Sequence, residues 1–172
     1  MKRTVTAFVG MGANAGDRLA ALRAAVAGLA AAEGIGVEAV SPVYETEAHV
    51  LPGQPAQPDH LNAVLRLRTS LPPEALLATF HRLERAAGRD PAAPRWGPRP
   101  LDLDLLLYGD AVLDRPGLTV PHPRLAARRF VLRPLADLAP EAEVPGLGRT
   151  VADLLAACPD AGRVEKTDLA LA

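Results

Sequence analysis

The alternation of apolar and polar positions divides most of the chain into strands and helices. Residues 4–9, TVTAFV, carry β-branched and aromatic side chains and run into Gly10 and Gly12, which predicts a strand closing in a tight loop. Asp17 stands where a helix cap belongs, and Leu19, Leu22, Val26 and Leu29 recur at helical spacing until Gly34 and Gly36. Residues 35–44 read as a second strand, and 45–58, with three prolines and a glycine, as a long mobile loop. Leu61, Ala63, Leu65 and Leu67 alternate with Asn62, Arg66 and Arg68, the pattern of a strand with one face on the core. Pro72 and Pro73 open a second helix that carries Leu76, Leu77, Phe80 and Leu83 and ends near Gly88. A second loop over 89–98 leads to a strand rich in leucine.

The order is therefore βαββαβ. Its ββ step breaks the rhythm of parallel βαβ units, so the expected fold is α+β: a ferredoxin-like core with an antiparallel sheet and helices packed on it. From residue 114 onward the chain reads as a turn-rich extension with short helices near 123–129 and 150–157, the latter opened by Thr150 and Asp153 as a capping box. No internal repeat or linker interrupts the pattern, and all 172 residues read as one domain.

Composition changes this picture only locally. Net charge is −1, so no basic excess is available to hold nucleic acid, although 17 of the 19 basic residues are arginine. Cys158 is the one cysteine, which excludes an internal disulfide framework and fits a reducing compartment. The stretch behind Lys2 and Arg3 is broken by Thr4, Thr6, Gly10 and Gly12 and makes a poor secretory signal. The alanine-rich residues 19–32 contain Arg23 and are too few to span a bilayer. A soluble cytoplasmic protein without a membrane partner is expected.

Candidate chemistry lies in residues 95–110, RWGPRPLDLDLLLYGD. On a strand, Asp102 and Asp104 project to one side while Leu101, Leu103, Leu105 and Leu107 face the core. Two adjacent carboxylates repel unless solvated or bridged by a cation, and hard oxygen ligands of this kind suit Mg²⁺ that keeps its other positions for water and phosphate. Such a pair alone also fits an ordinary water-facing strand side. Arg82, Arg85, Arg89, Arg95 and Arg99 cluster immediately before it, and cations beside a metal-binding pair suit a polyphosphate.

These residues closely resemble the signature of the 6-hydroxymethyl-7,8-dihydropterin pyrophosphokinase family. Further resemblance lies in FVGMGAN, YET, QPDHLNAV, LERAAGR, LTVPHPRLAARRFVLRPL and LAPE, collinear over roughly residues 4–155. The resemblance implies transfer of the terminal diphosphate of ATP to the hydroxymethyl group of the pterin, releasing AMP, with two Mg²⁺ ions held by Asp102 and Asp104. It implies that Arg89 and Arg99 grip phosphate, that Arg95 and Trp96 belong to a loop closing over the nucleotide, and that His122 and Arg128 contact phosphates. Leu77, His81 and Glu84 share one face of the second helix; by resemblance that face borders the nucleotide, with Leu105, Leu118 and Thr119 enclosing adenine. On the pterin side, Asn62 would read the ring edge, Phe130 and His60 would stack, Thr46 would offer backbone contacts, and Trp96 and Asp102 would also bind the pterin. A monomer is expected, with the two small molecules as its partners.

The pattern departs from the family at several positions. His60 stands where many members carry tyrosine, and Glu47 where proline is frequent. Pro91 and Ala92 replace basic residues, and Pro123 an aromatic one. Two rival readings exist. Gly10-Met11-Gly12-Ala13-Asn14-Ala15 fits the G-x-G-x-x-A of a dinucleotide-binding oxidoreductase, yet the chain lacks a second βαβ half, and no P-loop motif occurs. A ferredoxin-like nucleotide- or RNA-binding module without catalysis would need stacked aromatics on its strands, and the chain has only six aromatic residues.

Overall fold

The computed structural model describes residues 2–48, 50–90, 92–93 and 97–171. The first part of the chain forms β1 (Val5–Ala13), α1 (Arg18–Ala31), β2 (Ile35–Val40), β3 (Tyr44–Thr46), β4 (His60–Thr69), α2 (Pro73–Ala86) and β5 (Asp102–Tyr108). β4 pairs antiparallel with β1 on one side and with β2 and β3 on the other, and β5 pairs antiparallel with the far side of β1. The fold is α+β with an antiparallel sheet and helices packed on it.

Local chemistry sets the helices. Asp17 caps α1 by accepting from the Ala20 N–H at 3.0 Å. Pro73 begins α2, where a missing N–H costs no intrahelical bond, and Gly88 at φ +98° ends the turn that follows. Both helices lie on one face of the sheet. Leu22, Leu29, Leu76 and Phe80 meet Val9, Met11, Leu65, Leu67, Leu103 and Leu105 there in an apolar layer.

The opposite face is covered by a 3₁₀ turn (Leu125–Ala127), α3 (Arg129–Leu138) and α4 (Val151–Ala156). Val131, Leu132 and Leu135 pack there on Phe8, Val64 and Leu106. Thr150 caps α4, accepting from the Asp153 N–H at 3.1 Å as the capping pattern predicts. Short ladders complete the chain: β6 (Leu113–Arg115) with β7 (Leu118–Val120), β8 (Glu143–Val144) with β9 (Arg149–Thr150), and β10 (Val164–Lys166) with β3.

Five details differ from the sequence reading. Gly10 and Gly12 lie inside β1, and the turn falls later, at Gly16 with φ +65°. The second strand breaks in two at Ser41-Pro42, because Pro42 has no N–H for the ladder and the Ser41 hydroxyl takes the Val64 N–H at 2.8 Å. Leu107 does not join Leu103 and Leu105: a register shift opposite Phe8 and Val9 turns it to the other face, beside Leu106. The extension expected to be turn-rich holds the ten-residue α3, which continues through Pro134 because Val131, Leu132, Leu135 and Ala136 are buried around it. β10 adds a strand at the sheet edge where none was expected.

Candidate active site

Because strand side chains alternate, Asp102 and Asp104 point away from the apolar layer that takes Leu103 and Leu105. Register places Gly12 between Asp102 and Asn62, and Gly10 between Asp104 and Val64. The two glycines leave a bare strip of backbone between the acids and β4. A Cβ added at Gly12 would stand 2.7 Å from Asn62 Oδ1, so the close approach of Asn62 depends on glycine. α3 covers Phe8, Val64 and Leu106 further along these strands, and at this end of the sheet a cavity of about 510 Å³ opens.

The cavity gathers ten of the candidate residues. Arg89, Arg99, Asp102, Asp104, His122 and Arg128 line it, as do Thr46, His60, Asn62 and Phe130. Asn62 Nδ2 donates to Thr46 Oγ1 at 2.6 Å, which fixes the amide across β3 and β4. The Arg128 guanidinium lies 5.6 Å from the centre of the Phe130 ring. Arg89 Nη1 bridges two carboxylates, at 2.8 Å from Asp102 Oδ1 and 2.6 Å from Glu84 Oε2, and Arg99 Nη1 stands 3.7 Å from the same Asp102 oxygen.

Burial sets the proton affinities. It pushes the Asp102 carboxyl above the usual carboxylate range; Asp104 adds to this, while Arg89 and Arg99 oppose it. Glu84 is raised in the same way, against the Leu103 N–H it accepts at 3.0 Å and the Arg89 charge. His122 is lowered, first by burial, although Asp104 favours its cation. Its Nδ1 accepts from the Arg124 N–H at 3.1 Å, so the neutral ring carries its proton on Nε2.

The donor set fits a hard divalent cation. Both Asp102 ion pairs use Oδ1, and Asp104 is exposed beside it. No group of three or more His, Cys, Asp or Glu converges among the described residues. A carboxylate pair facing an open cavity leaves most of a Mg²⁺ shell for water and phosphate oxygens.

Six candidates do not line this cavity. Leu77 packs on the apolar layer and His81 is exposed on α2. Glu84 is buried beneath Arg89, Leu105 and Leu118 belong to the apolar core, and Thr119 sits in the β6–β7 hairpin, donating to Asp114 Oδ1 at 3.4 Å. Arg95, Trp96 and Pro91 lie outside the described residues. Of the departures, Glu47 and Pro123 line the cavity. Ala92 lies in a turn, its N–H donating to Asp90 Oδ1 at 2.8 Å. Gln57, Arg124 and Val131 also line the cavity; each lies within a stretch that resembles the family, but the sequence reading gave none of them a role.

The family model described as 7,8-dihydro-6-hydroxymethylpterin-pyrophosphokinase (HPPK) matches residues 8–140, from β1 to just past α3. The chain belongs to the HPPK family. It is 44% identical over 149 residues to the 2-amino-4-hydroxy-6-hydroxymethyldihydropteridine pyrophosphokinase of Synechocystis sp., covering 87% of this chain and 74% of that one. The enzyme of the same name from Pseudomonas aeruginosa is 43% identical over 156 residues, covering 90% and 93%. A crystal structure of a Plasmodium falciparum HPPK-DHPS triple mutant superposes with a TM-score of 0.69 at 15% identity, over 91% of this chain and 44% of that one. The chain thus spans less than half of that HPPK-DHPS polypeptide, and the likeness concerns the fold. β10 and the segment before it lie beyond the HPPK match.

Two rival readings lose their footing. Gly10 and Gly12 are interior residues of an antiparallel strand, whereas a dinucleotide fingerprint needs them in a turn at a helix N-terminus. Helices cover both sheet faces except at the cavity, unlike the open strand platform on which RNA bases stack.

Proposed function

We propose that this HPPK-family chain transfers a diphosphate from ATP to the hydroxymethyl group of 6-hydroxymethyl-7,8-dihydropterin, giving AMP and the pterin diphosphate for tetrahydrofolate synthesis. The observation that carries the reading is the meeting, in one cavity, of an aspartate pair with four arginines and of an anchored Asn62 with an aromatic ring. Asp102 and Asp104 would hold Mg²⁺, two ions in all. The metal, when bound, neutralises phosphate charge and polarises the phosphorus under attack.

The protein's own groups do the positioning. Arg89 and Arg99 bind the β- and γ-phosphates, and Arg128 and the Nε2–H of His122 complete the grip; the family resemblance alone assigns Arg95 and Trp96, which lie outside the described residues, to the nucleotide. Asn62 reads the amide-like edge of the pterin, while Phe130 and His60 stack on its faces and Thr46 meets its rim. Phosphoryl transfer through a loose transition state is accelerated chiefly by alignment and charge, so a hydroxyl held in line with the β-phosphorus needs no strong base. Glu84 acts through Arg89 in this scheme. The reading takes the chain as one pyrophosphokinase domain, monomeric and cytoplasmic, without nucleic-acid or membrane partners; among the described residues no helix is long and apolar enough to cross a membrane.

Product analysis with ATP, Mg²⁺ and the hydroxymethyl pterin tests the proposal. AMP and pterin diphosphate are expected in equal amounts. ADP as the coproduct, or no turnover, would overturn it.

A further inference from the structure

Asn14 follows directly on β1 and is not among the residues that line the cavity, yet it is 1% exposed and fully engaged. Its backbone N–H donates to the Arg99 carbonyl at 2.9 Å, and its Oδ1 accepts from the Arg99 N–H at 2.7 Å. Its Nδ2 donates to Gln57 Oε1 and to the Pro58 carbonyl, each at 3.2 Å. One side chain therefore joins two distant segments to the end of the strand that forms the cavity floor. Arg99 reaches towards Asp102, and Gln57 lines the cavity just before β4 brings in His60 and Asn62.

We propose that Asn14 is a positioning residue: a latch that fixes the arginine arm and the Gln57–Pro58 arm relative to one another, and so sets the distance between the phosphate side and the pterin side of the cavity. Its kinetic meaning rests on the proposed function. The chemistry selects asparagine. The Arg99 N–H requires an acceptor, and the Pro58 carbonyl requires a donor, which orients the amide uniquely. An aspartate would keep the acceptor for Arg99 and turn an oxygen against Gln57 Oε1 and the Pro58 carbonyl. A leucine of similar shape would lose both arms.

The pair Asn14→Asp and Asn14→Leu therefore separates the two arms. In Asn14→Leu, kcat/KM falls about 10- to 100-fold, the usual cost of displacing reacting groups by up to about 1 Å. In Asn14→Asp, KM for the pterin rises while KM for ATP stays at the wild-type value. Amide hydrogen exchange gives a readout free of catalysis: the Arg99 amide stays protected in the wild type and Asn14→Asp and loses protection in Asn14→Leu. Should Asn14→Leu fail to fold, the KM split in Asn14→Asp carries the test. Equal rises in both KM values for Asn14→Asp, or an Arg99 amide equally protected in all three proteins, would overturn the latch. A wild type without diphosphate transfer would instead sink the functional reading, with the latch still judged by the Arg99 amide.

Discussion

The two faces of the sheet differ in what they ask of the same strands. On the face covered by α1 and α2, the inward strand positions are chiefly apolar, from Val9 through Leu65 to Leu103 and Leu105, with Thr69 the polar end of the β4 row. On the other face, apolar packing under α3 gives way within two residues to Asp104, Gly10, Gly12, Asn62 and Asp102. β5 shows the division most clearly, since Asp102 and Asp104 alternate with leucines of the opposite layer. The rigid layer holds the acids in place from behind, and the acids contribute nothing to the core. Stability and chemistry are separable along one strand because its side chains have a period of two.

Substitutions can break or sharpen this contrast. The largest effect is expected for Phe80→Ala, which empties a fully buried site and costs about 3–5 kcal/mol of stability by chemical denaturation while leaving the turnover of the folded fraction intact. Arg89→Ala lies across the divide. Turnover drops about 100- to 1,000-fold for loss of a transition-state cation, and about 1–3 kcal/mol of stability goes because buried Glu84 loses its partner. Adding Glu84→Gln restores the stability and not the turnover, and a double-mutant cycle measures the coupling directly.

Gly12→Ala pushes against Asn62 and is expected to cost about 1–3 kcal/mol, with pterin binding by calorimetry weakened more than ATP binding. The smallest effect concerns pH. Glu84 has a folded-state pKa raised by burial, so the folded chain holds this proton more tightly than the unfolded chain. Its contribution is complete below the ordinary carboxylate range and is lost as pH rises through the raised value. The stability advantage of the wild type over Glu84→Gln therefore shrinks as pH rises, and unfolding curves taken across that window read it out.

The sequence carried the apolar face plainly, since Leu61 to Leu67 and the leucines of β5 alternate and α2 repeats at helical spacing. It was less informative wherever a long-range partner decides the outcome. Leu107 follows the alternation but is turned over by a register shift against β1, which no local pattern encodes. α3 was hidden by Pro134, whose missing bond is outweighed by four buried neighbours on the sheet. β10 is three residues with polar neighbours, and only β3 makes it a strand. Among site residues, Asp102, Asp104 and Arg99 were visible because spacing and charge coincide. Asn14 entered only as the last residue of FVGMGAN and inside the rival glycine motif, with no role of its own, because its importance lies in Arg99, Gln57 and Pro58, all far away in the chain.

The most direct test of the division is the Asp104→Asn protein, whose changed side chain is exposed and holds nothing in the core. With saturating Mg²⁺, its kcat for AMP release is expected to fall about 100-fold or more, while its unfolding midpoint matches the wild type. Near-normal turnover, or a loss of turnover that merely follows a loss of folded protein, would contradict the assignment of that face to the chemistry.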